Sequence, residues 1–209
     1  MLRFIIADDH SVVRKGIYQI LIDEFPSLYI DEVANTESLL QKTALIQYDL
    51  IICDISMPGK SGLDILPQLK ELYPKLPILI MSIHPEDHYA VRVLKAGASG
   101  YLNKDLAPEE LVYAVRRVLQ GKRYITPSVS EKISLTKNKI TDKPLHFYLS
   151  DREFTVMLML ASGKSTSEIA ETLDLSLTTI STYRSRILFK MNFKTNADLT
   201  LYAVQEKLL

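Results

Sequence analysis

Residues 50–66 read LIICDISMPGKSGLDIL, and this stretch decides the fold. Its first five residues form an apolar run that ends in Asp54, a pattern typical of a strand buried on both faces of a parallel sheet. An amphipathic segment begins near Leu63 and predicts a helix. The stretch is therefore one strand and one helix, with a carboxylate where the strand ends.

The same unit recurs along the first 121 residues. The predicted strands are Leu2–Ala7, Leu28–Ala34, Leu50–Asp54, Pro77–Ser82 and Gly100–Leu102, and the predicted helices are Val12–Glu24, Glu37–Ile46, Leu63–Leu72, Glu86–Ala96 and Glu109–Leu119. Strands that alternate with helices indicate a doubly wound α/β domain with a five-stranded parallel sheet. We take its strand order, 2-1-3-4-5, from flavodoxin-like proteins and do not derive it from the residues.

The pattern changes after residue 121. Residues 122–147 lose the periodicity and predict a linker, with a short helix near Val129–Leu135. The remaining chain is purely helical in pattern and predicts a small all-α domain over residues 148–209. Its expected helices are Asp151–Ser162, Ser165–Leu173, Leu177–Met191 and Asn196–Gln205.

Charge is distributed unevenly along the chain, although the net charge is zero. Residues 1–121 carry 12 Lys and Arg against 16 Asp and Glu, whereas Leu175–Ala197 has four basic residues and no acidic one. This asymmetry indicates different partners for the two ends. A single Cys excludes a disulfide framework. With neither a signal peptide nor an apolar stretch of about 20 residues, we expect a soluble cytoplasmic protein that does not bind a membrane.

Polar side chains lie at the ends of four predicted strands. Asp8 and Asp9 follow the first strand, Asp54 ends the third, Ser82 ends the fourth, and Lys104 follows the fifth. The carboxyl ends of the strands form the ligand crevice in such sheets. Three clustered carboxylates need a cation, and Mg²⁺ (or Mn²⁺) suits an oxygen site that also takes a phosphate. We predict that Asp54 attacks phosphorus and that Lys104 balances the charge.

Residues 165–187, STSEIAETLDLSLTTISTYRSRI, predict two helices around a tight turn, with Ser176 as the N-cap of the second. This is the geometry of a helix-turn-helix, whose second helix enters the major groove of DNA. A helical wheel assigns the core side to Leu177, Ile180, Ile187, Leu188 and Met191, with Arg184 among them. It assigns the DNA side to Thr178, Ser181, Thr182, Ser185 and Phe189. Thr179, Arg186 and Lys190 flank that side; small polar residues suit bases and basic ones suit phosphates.

The first domain also resembles the response regulator receivers of two-component signalling. The resemblance rests on IIADDH, DLIICDISMPGKSGLDIL, PILIMSIH and KAGASGYLNKD. It implies that Asp54 is the phosphoacceptor and Lys104 contacts the phosphoryl group. It implies a metal site of Asp9, Asp8 (often through water), Asp54 and the carbonyl of Ser56. It also implies a switch pair in which the Ser82 hydroxyl moves toward the phosphate while the Tyr101 ring turns inward.

Residues 149–209 resemble the LuxR-type domain of NarL/FixJ-class regulators, beginning LSDREFTVMLMLASGKSTSEIA. Tyr183 stands where His is usual and Ser181 where Lys is frequent, which puts the target sequence in doubt. The resemblance implies a sensor histidine kinase and double-stranded promoter DNA as partners. We also expect a homodimer after phosphorylation, because one such domain makes few base contacts. Leu199, Tyr202 and Ala203 form a stripe that serves either this dimer or the core of the domain.

Two other classes of function compete with a kinase-controlled transcription regulator. A phosphohydrolase also uses a strand-end Asp and Mg²⁺, but residue 56 is Ser where a second acid is expected, and no cap domain exists for a substrate. We therefore expect no enzyme beyond self-catalysed phosphoryl acceptance and slow hydrolysis. A phosphorylation-independent interaction module is the other alternative, and the complete set of strand-end residues argues against it. His10, His84 and His88 are not expected to bind a metal.

Overall fold

The computed structural model describes residues 1–57, 60–83, 86–126 and 144–209, without the side chains of Asp87, His88 and Asp151. The described residues fall into two compact units, one before and one after residues 127–143. The predicted short helix near Val129–Leu135 and the residue His84 lie outside the described residues. The predicted domain bounds stay a prediction.

The first unit is a five-stranded parallel sheet with the order β2-β1-β3-β4-β5, which confirms the predicted fold class. Its strands are β1 (Leu2–Ala7), β2 (Leu28–Val33), β3 (Leu50–Asp54), β4 (Ile78–Ser82) and β5 (Gly100–Asn103). Its helices are α1 (Ser11–Glu24), α2 (Thr36–Leu45), α3 (Gly62–Leu72), α4 (Glu86–Lys95) and α5 (Ala107–Leu119), with a short 3-10 helix at Lys104–Leu106. Strand β4 begins after Pro77, which has no N–H for the ladder.

Both faces of the sheet are buried. On one face Phe4, Ile52 and Leu79 form a core with Leu21 of α1 and Leu111 of α5. Because side chains alternate along a strand, the neighbouring residues Ile5, Ile51 and Ile80 point to the other face, and they are equally buried. This two-sided burial explains the nearly continuous apolar runs in the sequence.

Residues 122–126 pack on the first unit, although the sequence assigned them to the linker. Tyr124 forms a parallel bridge with Gly100, and its carbonyl accepts the N–H of Tyr101 at 3.3 Å. A Cβ on Gly100 would lie 2.9 Å from both the Cβ and the carbonyl oxygen of Tyr124, so this approach needs glycine. The Thr126 hydroxyl donates to Glu86 at the start of α4. Hydrogen bonds within the first unit thus extend to Thr126.

The second unit is helical, with α6 (Asp151–Ala161), α7 (Thr166–Thr172), α8 (Leu177–Met191) and α9 (Asn196–Gln205) after a short 3-10 helix at Leu145–Tyr148. Its core contains the side chains of Phe154, Ile169, Ile180, Ile187, Met191 and Leu199. His146, another predicted linker residue, is buried against the Phe154 ring and lies 2.8 Å from the Tyr202 hydroxyl. Among the described helices, none is both long and apolar enough to span a membrane.

The structure corrects one detail of the helical predictions and decides another that the sequence left open. Leu177, placed in the core by the helical wheel, is 54% exposed because it is the first residue of α8 and has no preceding helical turn beside it. Leu199 and Ala203 are fully buried inside the unit, so these two residues serve its core, which is one of the two roles that the sequence left open. The exposed apolar side chains of α9 are Leu201 and Val204.

Candidate functional site

The sheet brings the predicted strand-end residues to one edge. In the register of the strands, Asp54 lies beside Met81, the residue before Ser82, and Ser82 lies beside Asn103, the residue before Lys104. Asp8 follows β1, the other neighbour of β3. The crevice therefore forms where the order of the strands reverses, as expected for an open α/β sheet.

Lys104 connects two buried carboxylates. Its Nζ atom lies 2.6 Å from Oδ2 of Asp8 and 2.9 Å from Oδ2 of Asp54. The side chains of Asp8 and Asp54 are 2% and 4% exposed, so the charges have little contact with water. Lys104 compensates only one of the two negative charges, and Asp9 adds a third carboxylate beside them. The cluster therefore carries excess negative charge.

Burial and the neighbouring carboxylate change the pKa of Asp54. Burial, followed by the charge of Asp8, raises the pKa of Asp54 to about 6, although Lys104 and the backbone N–H of Ser56 lower it. Lys104 itself is desolvated, but the two carboxylates hold its pKa above the usual value. At neutral pH the Asp54 carboxylate is thus mostly ionised and available as a nucleophile.

The donor set fits a hard divalent cation. One ligand atom each of Asp8, Asp9, His10 and Asp54 lie within 4.8 Å of one another. Oδ1 of Asp9 is buried and has no hydrogen-bond partner among the described residues, although Nδ1 of His10 lies 2.8 Å away. Clustered carboxylate oxygens with an unsatisfied lone pair are the environment that Mg²⁺ prefers. The sequence did not predict that the exposed imidazole of His10 lies at this cluster.

The loop after β3 returns close to Asp54. A Cβ on Gly62 would lie 2.1 Å from the carbonyl oxygen of Asp54, so only glycine allows α3 to begin here. Ser61 caps α3, since its hydroxyl accepts the N–H of Asp64 and its N–H donates to the Asp64 carboxylate. These contacts fix the start of α3 beside Asp54.

Ser82 and Tyr101 lie together behind the crevice. Ser82 is fully buried and Tyr101 is 1% exposed. The Tyr101 hydroxyl hydrogen-bonds to the Ser82 side chain, while burial raises the pKa of Tyr101 above its usual range. The Tyr101 ring thus already lies in the expected inward position. Signalling from this arrangement does not require the ring to turn inward.

The second unit contains the predicted helix-turn-helix, formed by α7 and α8. Ser176 caps α8 as predicted by accepting the N–H of Thr179 at 3.1 Å, and Asp174 in the turn has a φ of 51°. The predicted DNA side of α8 is exposed at Thr178, Ser181, Thr182, Ser185 and Arg186, while Thr179 is half-buried. The surface that would enter a groove is therefore accessible.

The basic residues of α8 divide into two groups. Nε of Arg184 donates to Asn196 at 2.8 Å, and Nζ of Lys190 lies 2.6 Å from the buried carboxylate of Glu153. Lys190 was predicted to contact phosphates, but this ion pair holds it against the domain. Arg186 of α8 and Lys194, which follows the helix, are exposed, and the paired Lys190 side chain is itself 39% exposed. The sequence pattern of Leu175–Ala197 thus overestimates the cations that face a partner.

Comparisons with known proteins agree with both units. Residues 4–116 match the response regulator receiver domain, and residues 148–203 match the bacterial regulatory proteins of the luxR family. Response regulator UvrY of Escherichia coli (strain K12) is 33% identical over 100% of this chain and 96% of its own length. Oxygen regulatory protein NreC of Staphylococcus carnosus (strain TM300) is 36% identical over 100% of this chain and 99% of its own.

Solved structures lead to the same family. RcsB from Salmonella enterica serovar Typhimurium, bound to promoter rprA in the presence of phosphomimetic BeF3-, has a TM-score of 0.62 and 26% identity, covering 96% of this chain and 97% of RcsB. The resemblance to NarL/FixJ-class response regulators that was predicted from the sequence is confirmed. The chain belongs to the NarL/FixJ class of two-component response regulators, in which a receiver domain is joined to a LuxR-type DNA-binding domain.

Proposed function

We propose that a sensor histidine kinase phosphorylates Asp54 in a Mg²⁺-dependent reaction and that phosphorylation controls dimerisation and promoter binding. The observation that carries this proposal is the buried carboxylate of Asp54, 2.9 Å from Lys104 and beside an acidic cluster with excess negative charge. A structural ion pair needs one carboxylate for each cation. The excess here suits a site that takes up further cationic charge and then a phosphoryl group.

In the phosphoryl step, a carboxylate oxygen of Asp54 attacks the phosphorus of a phosphohistidine. A P–O bond forms, the P–N bond breaks, and its electron pair returns to the imidazole of the kinase. Lys104 is close enough to neutralise a phosphoryl oxygen. When bound, Mg²⁺ (or Mn²⁺) supplies further neutralisation, held by Asp8, Asp9, Asp54 and the carbonyl of Ser56. The chain modifies itself here, with slow hydrolysis of its own acyl phosphate, and turns over no outside substrate.

Signal transfer would begin at Ser82. A phosphoryl group offers new acceptor oxygens, and the Ser82 hydroxyl must exchange its contact with Tyr101 to donate to one of them. That exchange changes the packing at the start of α4 and β5. We propose that it favours a homodimer, for which Leu201 and Val204 supply exposed apolar side chains on α9.

Promoter binding would use α8. We propose that Thr178, Ser181, Thr182 and Ser185 contact bases, and that Thr179, Arg186 and Lys190 flank them, with Lys190 restrained by Glu153. RcsB, a structural relative, has been solved bound to DNA. In this proposal the receiver spans residues 1–121, the linker 122–147 and the DNA-binding domain 148–209, and the protein acts in the cytoplasm, where promoter DNA lies.

The test is phosphorylation by acetyl phosphate, followed by intact-protein mass spectrometry. We expect one phosphoryl group on the wild type with Mg²⁺, none in EDTA and none on Asp54→Asn. Asp105→Asn is the matched control, because Asp105 is exposed and directly follows Lys104. Equal labelling of Asp54→Asn would overturn the assignment. DNA binding that is unchanged between labelled and unlabelled wild type would overturn the control of binding by phosphorylation.

A further inference from the structure

One stripe of α8 is exposed and uncharged. Thr178, Thr182, Ser185 and Phe189 follow one another at spacings of four, three and four residues, so they lie along one side of the helix. We call these four residues the reading stripe. All four are exposed, and Phe189 is 86% exposed, the largest exposed fraction among the large apolar side chains of the described residues.

The hydroxyl hydrogens of Thr182 and Ser185 are used inside the helix. Oγ1 of Thr182 donates to the carbonyl of Thr178 at 2.9 Å, and Oγ of Ser185 donates to the carbonyl of Ser181 at 3.0 Å. Each of these hydroxyls therefore presents only acceptor lone pairs to a ligand. Together with the Thr methyl groups and the Phe189 ring, the stripe offers acceptors and apolar surface.

Charged donors lie beside the stripe or are held away from it. Arg184 is bonded to Asn196, and Lys190, although its side chain is 39% exposed, is paired with Glu153. Arg186 is exposed next to Ser185. Guanine presents two acceptors in the major groove and is read by donors such as Arg or Lys. Adenine and cytosine both present an amino donor to the acceptors of the stripe, but only thymine presents a methyl group to its apolar surface. The chemistry of the stripe is complementary to A·T pairs.

From this chemistry we infer that Phe189 is a specificity-determining residue that contacts a thymine methyl group, and that the reading stripe selects A·T pairs. The inference rests on the proposed use of α8 in promoter binding. Phe189 lies 11 residues after Thr178, about 16 Å along the helix at the rise of an α-helix. The thymine therefore lies at the end of the half-site contacted by the last turn of α8, which we call its outer end. Arg186, one turn away, is placed to contact the adjacent phosphates.

The experiment uses the full chain activated with beryllofluoride. The wild type selects duplexes from a random pool, and each thymine of the best duplex is then replaced singly by deoxyuridine, which removes only the methyl group. We expect A·T pairs in the selected half-site and one outer thymine whose replacement weakens wild-type binding about fourfold, the effect of one buried methyl. In Phe189→Ala the same replacement has no further effect, and Phe189→Leu retains part of it.

Tyr148→Ala is the matched control, because Tyr148 is an exposed aromatic residue outside α8. It leaves the thymine dependence unchanged. The inference is overturned if wild type and Phe189→Ala respond equally to every deoxyuridine, even while both bind DNA. It is also overturned if Phe189→Ala changes only the monomer–dimer equilibrium in ultracentrifugation, since the ring would then contact protein. A wild type that selects no sequence overturns the proposed function itself.

Discussion

Each unit of the protein contains a buried carboxylate paired with a lysine, and the two sites differ in charge balance. In the first unit Lys104 faces two carboxylates that are at most 4% exposed, with Asp9 nearby. In the second, Lys190 faces the single carboxylate of Glu153, which also accepts the N–H of Ser150 at 2.7 Å. The first site has more negative than positive charge, whereas the second is balanced.

The pKa values follow this difference. Burial and the neighbouring Asp8 raise the pKa of Asp54 to about 6. Burial also acts against ionisation of Glu153, but the hydrogen bonds from Lys190 and Ser150 outweigh it and lower the pKa of Glu153. Removing one partner of a balanced pair leaves an unpaired charge and destabilises the fold, while an unbalanced cluster costs stability and prepares a site for added positive charge. The comparison separates a reactive carboxylate from a structural one.

The largest expected effect is a gain of stability in Asp54→Asn. The folded pKa of Asp54 lies above its ordinary value of 3.8, so ionisation opposes folding. Removing this charge in EDTA at pH 8 should raise the free energy of unfolding of the first unit by about 3 kcal/mol, because each pKa unit corresponds to about 1.4 kcal/mol. The gain should be present above pH 6 and absent below pH 4.

Hydrogen exchange of β1 and β3 amides in urea measures this free energy for the first unit alone. Asp105→Asn, the same chemical change at an exposed position, should have little effect at any pH. A loss of stability in Asp54→Asn would contradict the charge imbalance in the first unit. The sites of Lys104 and Lys190 would then not differ in the way described.

Glu153→Gln should have the opposite sign. Loss of the charge-assisted hydrogen bond from Lys190 should lower the free energy of unfolding of the second unit by about 2 kcal/mol at neutral pH. Because the folded pKa of Glu153 lies below 4.5, the wild-type advantage should be complete above pH 4.5 and disappear as pH falls through the folded pKa.

The measurement is exchange of α6 and α8 amides between pH 3 and 7. Glu171→Gln provides the control, since Glu171 is exposed on the neighbouring helix α7. If Glu153→Gln and Glu171→Gln had equal effects, the Lys190–Glu153 pair would have no structural role.

The smallest effect concerns salt dependence. Arg186→Ala should reduce the slope of log affinity against log salt concentration by about one, because one phosphate contact is lost. Lys190→Ala should leave the slope nearly unchanged and destabilise the second unit, since Lys190 is held by Glu153. Fluorescence anisotropy of labelled promoter DNA at several salt concentrations measures the slopes. A reduced slope in Lys190→Ala would instead support the phosphate contact that was predicted for Lys190 from the sequence.

Local sequence patterns were sufficient to predict the strands and helices of the fold. Apolar runs and helical periodicity located the five strands and their helices to within a few residues, and capping residues such as Ser176 located helix starts. The strand-end position of Asp54 also follows from the sequence, since parallel strands end at the same edge. The strand order itself was taken from related folds, and the structure confirmed it.

The sequence by itself thus determined the two kinds of unit, the strand-end carboxylates and the helix-turn-helix. Tertiary structure alone decided how the charges pair and which apolar residues are covered. Glu153 precedes Lys190 by 37 residues, and Arg184 precedes its partner Asn196 by 12, so neither pair leaves a periodic signal. Leu177 is exposed while Leu199 is buried, although both are leucines on amphipathic helices. Burial and ion pairing depend on which elements pack together, and a pattern within one element does not contain that information.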